Sequence, residues 1–133
     1  MEVGMRIIKR GDIYFVEQVP GAMGSEQQTG RPAIVVSNNA CNKFSTVVEV
    51  VYLTTRTTKA KLPTHVPING PERKSTALCE QVDSISIERL GSYMGKLTST
   101  ELAKINHALA ISLGLAPNAY EQRTKDDLLE KAG

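Results

Sequence analysis

Two apolar segments rich in β-branched residues constrain the fold more than any other feature of the chain. Residues 33–36 read Ala-Ile-Val-Val, and residues 47–53 read Val-Val-Glu-Val-Val-Tyr-Leu. Branched side chains favour strands because they pack well on a pleated surface. A strand that lacks polar alternation is typically buried on both faces. We therefore expect two central strands that are covered on both sides.

Shorter segments complete a predicted antiparallel sheet. We expect strands at 12–16, 65–68, 75–79 and 93–96, with β-rich sequence continuing from 80 to 85. Pro67 lacks an N–H group, so its strand is predicted to lie at an edge or a bulge. The asparagine-rich positions 38–39 and 42–43 predict turns, and residues 86–90 predict a short helical turn.

One amphipathic helix is predicted near the end of the chain. Thr98 and Glu101 have the spacing of a capping box, and Gly114 predicts where the helix ends. An apolar stripe predicts that the helix covers the sheet. The stripe consists of Leu102, Ile105, Leu109 and Leu113.

The whole chain has 133 residues, which suits one domain with one core. Short strands followed by a closing helix predict an α+β fold, built as a small curled antiparallel barrel. Pro117 ends that pattern, so we expect a domain at 1–117 and a charged tail at 118–133.

Several functional classes find no support in the sequence. No apolar run approaches the roughly 20 residues of a membrane span, and the acidic residue Glu2 argues against a secretory signal. The expected location is the cytoplasm. The two cysteines, Cys41 and Cys79, form no Cys-x-x-Cys motif, and the two histidines form no His-x-x-x-His motif. We therefore expect no bound metal and no cofactor.

Polar and basic residues collect near the predicted strand ends. The net charge is only +2, but Arg56, Lys59 and Lys61 lie in one segment that could attract an anionic partner or simply be solvated. The segment 17–30 is a long loop, and long loops in compact domains are often functional. The polar residues at strand ends are Ser25, Glu26, Gln27, Arg31, Thr54, His65, Glu80 and Gln81. In a small barrel these residues would share one rim, although composition alone does not separate a binding rim from an inert one.

Seven segments between residues 6 and 115 follow one another in the order of a known family. They are Arg10-Gly-Asp-Ile-Tyr-Phe15, Gly24-Ser-Glu-Gln27, Gly30-Arg-Pro-Ala-Ile-Val-Val36, Leu53-Thr54, Lys59-Ala-Lys-Leu-Pro-Thr-His-Val66, Leu78-Cys-Glu-Gln-Val82 and Ala110-Ile-Ser-Leu113. Together they resemble the motifs of the MazF/PemK family of toxin endoribonucleases. The resemblance implies an SH3-like barrel, a homodimer and metal-independent cleavage of single-stranded RNA at a short sequence. It also implies a cognate antitoxin that blocks the site.

The resemblance carries the family's site onto particular residues of this chain. The catalytic arginine and threonine correspond to Arg31 and Thr54, and Glu26 has a catalytic role in some relatives. RNA contacts are expected at His65, Glu80 and Gln81. Further RNA-binding candidates, which flank these positions, are Ser25, Gln27, Arg56 and Lys59.

Metal-free RNA cleavage can use the 2′-hydroxyl of the substrate as the nucleophile and leave a 2′,3′-cyclic phosphate. The planar guanidinium of Arg31 suits the crowded phosphorane, because it donates two hydrogen bonds to phosphate oxygens. Pro32 biases the backbone of Arg31 towards extended geometry. Thr54 offers a hydroxyl to the same phosphate. The general base is open between Glu26 and His65.

Two alternatives share the predicted fold. A gyrase-poisoning toxin of the CcdB type uses a tryptophan-containing tail, but this chain has no tryptophan and retains Arg31 with Thr54. A non-catalytic RNA-binding barrel would need stacking platforms, whereas aromatic residues make up only 5% of the chain.

Overall fold

A computed structural model describes residues 6–17, 30–56 and 62–117. These residues form an α+β fold, as predicted, with six antiparallel strands and a C-terminal helix. The elements are β1 (Asp12–Val16), β2 (Arg31–Val35), α1 (Asn39–Phe44), β3 (Val47–Thr54), β4 (His65–Ile68), β5 (Ser75–Ser86), a 3₁₀ turn (Ile87–Arg89), β6 (Leu90–Lys96) and α2 (Ser99–Ser112). The predicted tail at 118–133 lies outside the described residues. Neither helix in these ranges has the length and apolar character needed to cross a membrane.

The strands form one sheet in the order β4-β5-β3-β2-β1-β6. Every neighbouring pair is antiparallel. The edges of the described sheet are β4 and β6, and the sheet is not closed between them, so the barrel stays a prediction. The edge position of β4 confirms the expectation from Pro67. The missing N–H group of proline is least destabilising on a side of the strand that pairs with no other strand.

The central strands β2 and β3 are buried on both faces, as their apolar sequences predicted. On one face Ile34 and Leu53 pack with Ile105 of α2. On the other face Val35 and Val50 belong to a second apolar cluster. Successive side chains of a strand point to opposite faces, so each central strand contributes to both clusters.

Helix α2 begins with the predicted capping box. The Thr98 hydroxyl accepts a hydrogen bond from the Glu101 N–H at 3.1 Å, and the Glu101 carboxylate accepts from the Thr98 N–H at 3.0 Å. The same carboxylate accepts from the Asn69 N–H at 3.0 Å, which ties the cap to the loop after β4. Gly114 ends the helix with a φ of +77°, a left-handed conformation that glycine adopts readily. The prediction for Leu113 was wrong, because this residue caps the helix and is 62% exposed.

The predicted turns at 38–39 and 42–43 were wrong, because residues 39–44 form the short helix α1. The Asn38 side chain accepts a hydrogen bond from the Cys41 N–H at 2.8 Å and thereby caps this helix. The buried Asn42 amide donates to the Ser37 carbonyl at 2.9 Å. Asparagine favours turns and helix N-caps for the same reason, since its side chain replaces a local backbone partner.

The strand predicted at 75–79 is longer than expected. It continues through the β-rich sequence to Ser86 as the single strand β5, and its pairing with β3 shifts register between Val51 and Leu53. Glu80 and Gln81 therefore lie inside β5 at this irregularity and not after a strand end. Bulges of this kind bend a strand and redirect its side chains.

Candidate active site

The site begins where the chain enters β2. Gly30 packs so closely against the Val16 carbonyl and the Phe15 ring that a Cβ atom at this position would overlap both. The next residue, Arg31, is aligned with Val16 in the pairing of β1 and β2. The backbone that carries the arginine is therefore held against β1, and Pro32 restricts it further.

The half-buried side chain of Arg31 lies over an aromatic ring. Its Cζ atom is 4.6 Å from the centroid of the Tyr52 ring, which is the geometry of a cation–π contact. The Tyr52 hydroxyl donates a hydrogen bond of 2.7 Å to Oδ2 of Asp83. Three neighbouring strands, β2, β3 and β5, thus supply a guanidinium, a ring and a carboxylate that touch in series.

The environment of Tyr52 keeps its hydroxyl protonated. Burial, and then the hydrogen bond and the negative charge of Asp83, raise the pKa of Tyr52 to about 12, although the charges of Arg89 and Arg31 oppose the shift. At neutral pH the ring beneath Arg31 is therefore a neutral phenol that donates to Asp83.

Strand pairing places Thr54 beside Arg31. The ladder between β2 and β3 aligns Ala33 with Tyr52, Ile34 with Val51 and Val35 with Val50. Continuing this register by two residues sets Arg31 opposite Thr54, and directly opposed side chains share one face of a sheet. The Thr54 hydroxyl accepts from the Arg56 N–H at 3.1 Å, so its own proton remains available for donation.

Thr54 also lines an open cleft of about 810 Å³. The cleft is lined by the candidate residues Thr54, Arg56 and His65, and also by Lys74 from the loop before β5 and Lys104 from α2. Arg31 does not line this cleft, so of the two candidate catalytic residues only Thr54 does. Three basic side chains and one carboxylate, that of Glu101, line the cleft, so the excess positive charge favours an anionic ligand.

His65 is held by a carboxylate. Its Nε2 atom lies 3.0 Å from Oε2 of Glu80, and the Thr64 hydroxyl donates to the other oxygen of Glu80 at 2.8 Å. The remaining ring nitrogen of His65, Nδ1, is buried and has no hydrogen-bond partner among the described residues. The ring is therefore oriented through its contact with Glu80.

Glu80 stays ionised in this arrangement. Burial acts to raise the pKa of Glu80, but the hydrogen bonds from Thr64, from its own backbone and from His65 outweigh burial and lower the pKa below the ordinary value. A negative charge thus remains beside His65, which lines the basic cleft, and holds that ring.

The other predicted site residues are placed only in part. Gln81 is exposed at the irregularity of β5. Ser25, Glu26, Gln27 and Lys59 lie outside the described residues. Sequence reasoning missed Tyr52 and Asp83, because Tyr52 looked like an ordinary strand residue. The available signal was alternation, since Tyr52 lies two positions before Thr54 and so shares its face.

A second groove, of about 550 Å³, is lined by the C-terminal half of α2, whereas the N-terminal half of α2 lines the first cleft. Among its lining residues, Val82, Leu113 and Leu115 are 38%, 62% and 77% exposed. Arg10 and Glu49 add opposite charges to the same groove. Among the residues that the structure describes, no group of three or more His, Cys, Asp and Glu side chains is arranged to hold a metal ion.

Known proteins resemble this chain in sequence and in structure. The family described as PemK-like, MazF-like toxins of type II toxin–antitoxin systems matches residues 9–113. Endoribonuclease EndoA of Bacillus subtilis (strain 168) is 42% identical over 113 residues, which cover 82% of this chain and 97% of that protein. An endoribonuclease from Mycobacterial species superposes with a TM-score of 0.68 at 31% identity and covers 86% of this chain and 98% of its own. A structure described as an endoribonuclease in complex with its cognate antitoxin, also from Mycobacterial species, has the same TM-score and identity and covers 84% and 99%.

The family match spans most of the described fold, from the turn before β1 to the end of α2. It includes the predicted site residues Arg31, Thr54, His65 and Glu80. Of these, Thr54 and His65 line one cleft, and Glu80 contacts His65. The chain therefore belongs to the PemK-like, MazF-like family of type II toxin–antitoxin toxins.

Proposed function

We propose that this protein is a toxin that cleaves single-stranded RNA at internal phosphodiester bonds. The cleavage needs no metal ion and leaves a 2′,3′-cyclic phosphate. The observation that supports the proposal is the register of β2 and β3, which extrapolates to Arg31 opposite Thr54, together with the basic cleft that Thr54 lines. The similar proteins from Bacillus subtilis and Mycobacterial species are both named endoribonucleases. Membership of the same family makes this activity the first expectation for the present chain.

The chemistry needs charge stabilisation at phosphorus more than any other contribution. As the 2′-hydroxyl loses its proton and attacks phosphorus, negative charge collects on the non-bridging oxygens of the phosphorane. The bond from phosphorus to the 5′-oxygen of the next nucleotide then breaks, and that oxygen takes up a proton from water. The guanidinium of Arg31 donates two parallel hydrogen bonds to such oxygens, and the hydroxyl of Thr54 is a third donor. Donors that are held in place before the reaction stabilise the transition state without further reorganisation. Arg31 thereby carries the positive charge that a metal ion carries in other nucleases.

We assign proton removal from the 2′-hydroxyl to Glu26 in preference to His65. In His65 one ring nitrogen contacts Glu80 and the other is buried, so neither is free to meet a substrate hydroxyl in this arrangement. A general base must come within hydrogen-bonding reach of the proton that it removes. Glu26→Gln should abolish the acidic limb of the pH–rate profile, and His65→Gln should retain it. The reverse result would exchange the two roles.

The RNA strand is proposed to run from Arg31 along the cleft past Thr54. Arg56, Lys74 and Lys104 would contact phosphates there, because basic side chains supply most of the affinity for a nucleic acid backbone. Base contacts are proposed for His65, Glu80 and Gln81, and the loop candidates Ser25, Gln27 and Lys59 would complete the path. Affinity for uncleavable RNA should fall as salt rises, and a salt-independent affinity would contradict this path.

We propose that two copies pair through the second groove. Its exposed apolar residues Val82, Leu113 and Leu115 form a patch that remains exposed to solvent in a monomer. In a two-fold pair, Arg10 of one copy would face Glu49 of the other, and the reverse contact would follow by symmetry. Leu113→Glu should sediment as a monomer. Phe44→Glu is the matched control, because Phe44 is 80% exposed but lies outside the groove.

A cognate antitoxin is the second proposed partner, since one similar mycobacterial protein was solved in complex with its own. An acidic, disordered segment would match the basic cleft and order as it binds. We propose the cytoplasm, where RNA is available, as the site of action. For the complete domain we propose that the sheet closes into an SH3-like barrel. Acidic peptide and uncleavable RNA should exclude each other in an anisotropy titration, and simultaneous binding would contradict direct blocking.

The central experiment is cleavage of a long single-stranded RNA by purified protein in excess EDTA. We expect defined fragments whose 3′ ends resist ligation until the cyclic phosphate is removed. Arg31→Ala is the control for a contaminating nuclease, because it removes only the proposed guanidinium. Activity that is lost in EDTA and restored by magnesium would overturn the metal-free mechanism. Intact RNA together with trapped gyrase–DNA complexes would favour the CcdB-type alternative.

A further inference from the structure

We propose that Tyr52, held by Asp83, is the positioning residue that aims Arg31 at the scissile phosphate. This inference rests on the proposed function of Arg31 and adds two residues to it. Neither Tyr52 nor Asp83 is among the site residues that the sequence predicted. The observation is the direct series of contacts from Arg31 to the Tyr52 ring and from the Tyr52 hydroxyl to Asp83.

Strand register brings the three residues together on one face of the sheet. Tyr52 on β3 pairs with Ala33 on β2, two positions from Arg31. Asp83 on β5 pairs with Val50, two positions from Tyr52 on β3. Side chains at such diagonal positions lie within reach of long and aromatic groups. The contacts therefore follow from the sheet itself and do not depend on a loop.

The ring restricts Arg31 without occupying its donors. A guanidinium that lies over an aromatic ring uses its face for the contact and leaves its N–H groups free at the edge. Among the described residues no carboxylate lies within ion-pairing distance of Arg31. A carboxylate partner would compete with the phosphate for the same N–H groups, whereas the ring does not compete.

Asp83 fixes the ring that supports Arg31. Tyr52 is only 8% exposed, and its hydroxyl is held by Asp83 at 2.7 Å, so the ring plane is constrained at both ends. The hydrogen bond also directs the Asp83 carboxylate towards the phenol. A preorganised arginine loses less entropy when it binds the phosphorane, which accelerates the chemical step.

The test compares Tyr52→Leu with a matched control, Tyr14→Leu. Tyr14 is also a buried tyrosine, it pairs with Ala33 from the other side, and Arg6 lies 5.4 Å over its ring. We expect Tyr52→Leu to slow single-turnover cleavage at saturating enzyme by about three- to thirtyfold, the range expected from loss of a cation–π contact. Binding of uncleavable RNA should change less than the rate does. Tyr14→Leu should lose similar thermal stability and keep the wild-type rate.

Two further variants grade the effect. Tyr52→Phe retains the ring and should slow cleavage by less than about threefold. Asp83→Ala retains the ring but removes the hydrogen-bond acceptor that holds its hydroxyl. The rate of this variant should lie between those of Tyr52→Phe and Tyr52→Leu. Equal rates for Tyr52→Leu and Tyr14→Leu would overturn the inference. If Tyr52→Leu does not fold, a wild-type rate for Asp83→Ala would overturn it.

A second readout does not require cleavage. The Nε–Hε resonance of Arg31 should carry a ring-current shift in the wild type that Tyr14→Leu preserves and that Tyr52→Leu removes. An Arg31 resonance that is unchanged by Tyr52→Leu would overturn the positioning role, whatever the rates. If the shift is present but the wild type cleaves no RNA, the proposed function fails while the support of Arg31 by Tyr52 stands.

Discussion

The two faces of strand β3 differ in what they contact, although they belong to the same short segment. Val51 and Leu53 face helix α2 and join a cluster built only from apolar residues. Tyr52 faces the other way, where it joins the second apolar cluster and meets Arg31 and Asp83. Thr54, at the end of the strand, lines the basic cleft beside α2. Both faces thus stabilise the fold, but only the face of Tyr52, the functional face, also carries Arg31 and Asp83, and the separation follows from the two-residue period of a strand.

Arg31 should show the largest effect on the functional face. Arg31→Lys should slow cleavage by about 10²–10³-fold, nearly as much as Arg31→Ala, because an ammonium cannot donate in the planar, two-pronged geometry. The measurement is the single-turnover rate at saturating enzyme, with the melting temperature as the control for folding. A rate for Arg31→Lys near that of the wild type would show that charge alone suffices.

Ile105 should show the opposite pattern on the helix-covered face. Its side chain is fully buried between α2 and the sheet. Ile105→Ala should lower the free energy of unfolding by about 3 kcal/mol, through lost burial and the cavity left behind. Chemical denaturation measures the loss, and cleavage at low temperature should remain near wild type. A large loss of activity in fully folded protein would mean that the two faces are coupled.

Thr54 lies at the boundary between the faces and should have a smaller effect. Thr54→Ala removes one hydroxyl donor and should slow cleavage by roughly three- to tenfold, while RNA binding changes little. Thr54→Ser keeps the donor and should retain most of the rate. If serine were as slow as alanine, the methyl group and not the hydroxyl would be the important feature.

Glu101 should give the smallest effect, chiefly on stability. Glu101→Ala should cost about 1 kcal/mol, because the carboxylate accepts from the backbone of Thr98 and Asn69. The N–H groups of Asn69 and Thr98 lower the pKa of Glu101 below its ordinary value of 4.5. The stability that Glu101 contributes is therefore present above pH 4.5 and is lost as the pH falls through the lowered pKa.

The measurement for Glu101 is denaturation of the wild type and Glu101→Ala at neutral pH and at acidic pH. The difference between the two proteins should shrink on acidification. A difference that is constant with pH would show that the charged form is not what stabilises the cap. Glu101 also lines the basic cleft, where its negative charge opposes RNA, so Glu101→Ala should bind uncleavable RNA at least as tightly as the wild type at neutral pH.

Much of the fold was predictable because it depends on local patterns. The strands around 33–36 and 47–53, the edge position of Pro67 and the capping box of Thr98 all follow from side-chain shape and hydrogen-bonding capacity. The errors arose where one residue type serves two structures. The asparagines at 38–44 cap and line a short helix and do not form turns. Strand β5 continues past Glu80 through a bulge, and no turn-forming residue at that point marks the change of register.

The sequence by itself determined which residues are available for chemistry and which segments are strands, since both depend on residue type and short-range order. The family match extends that reading across residues 9–113. Only the tertiary structure decided which residues meet, because contacts across a sheet depend on register between strands distant in sequence. Register sets Arg31 against Tyr52 and opposite Thr54, joins Tyr52 to Asp83 across 31 residues, and holds His65 to Glu80.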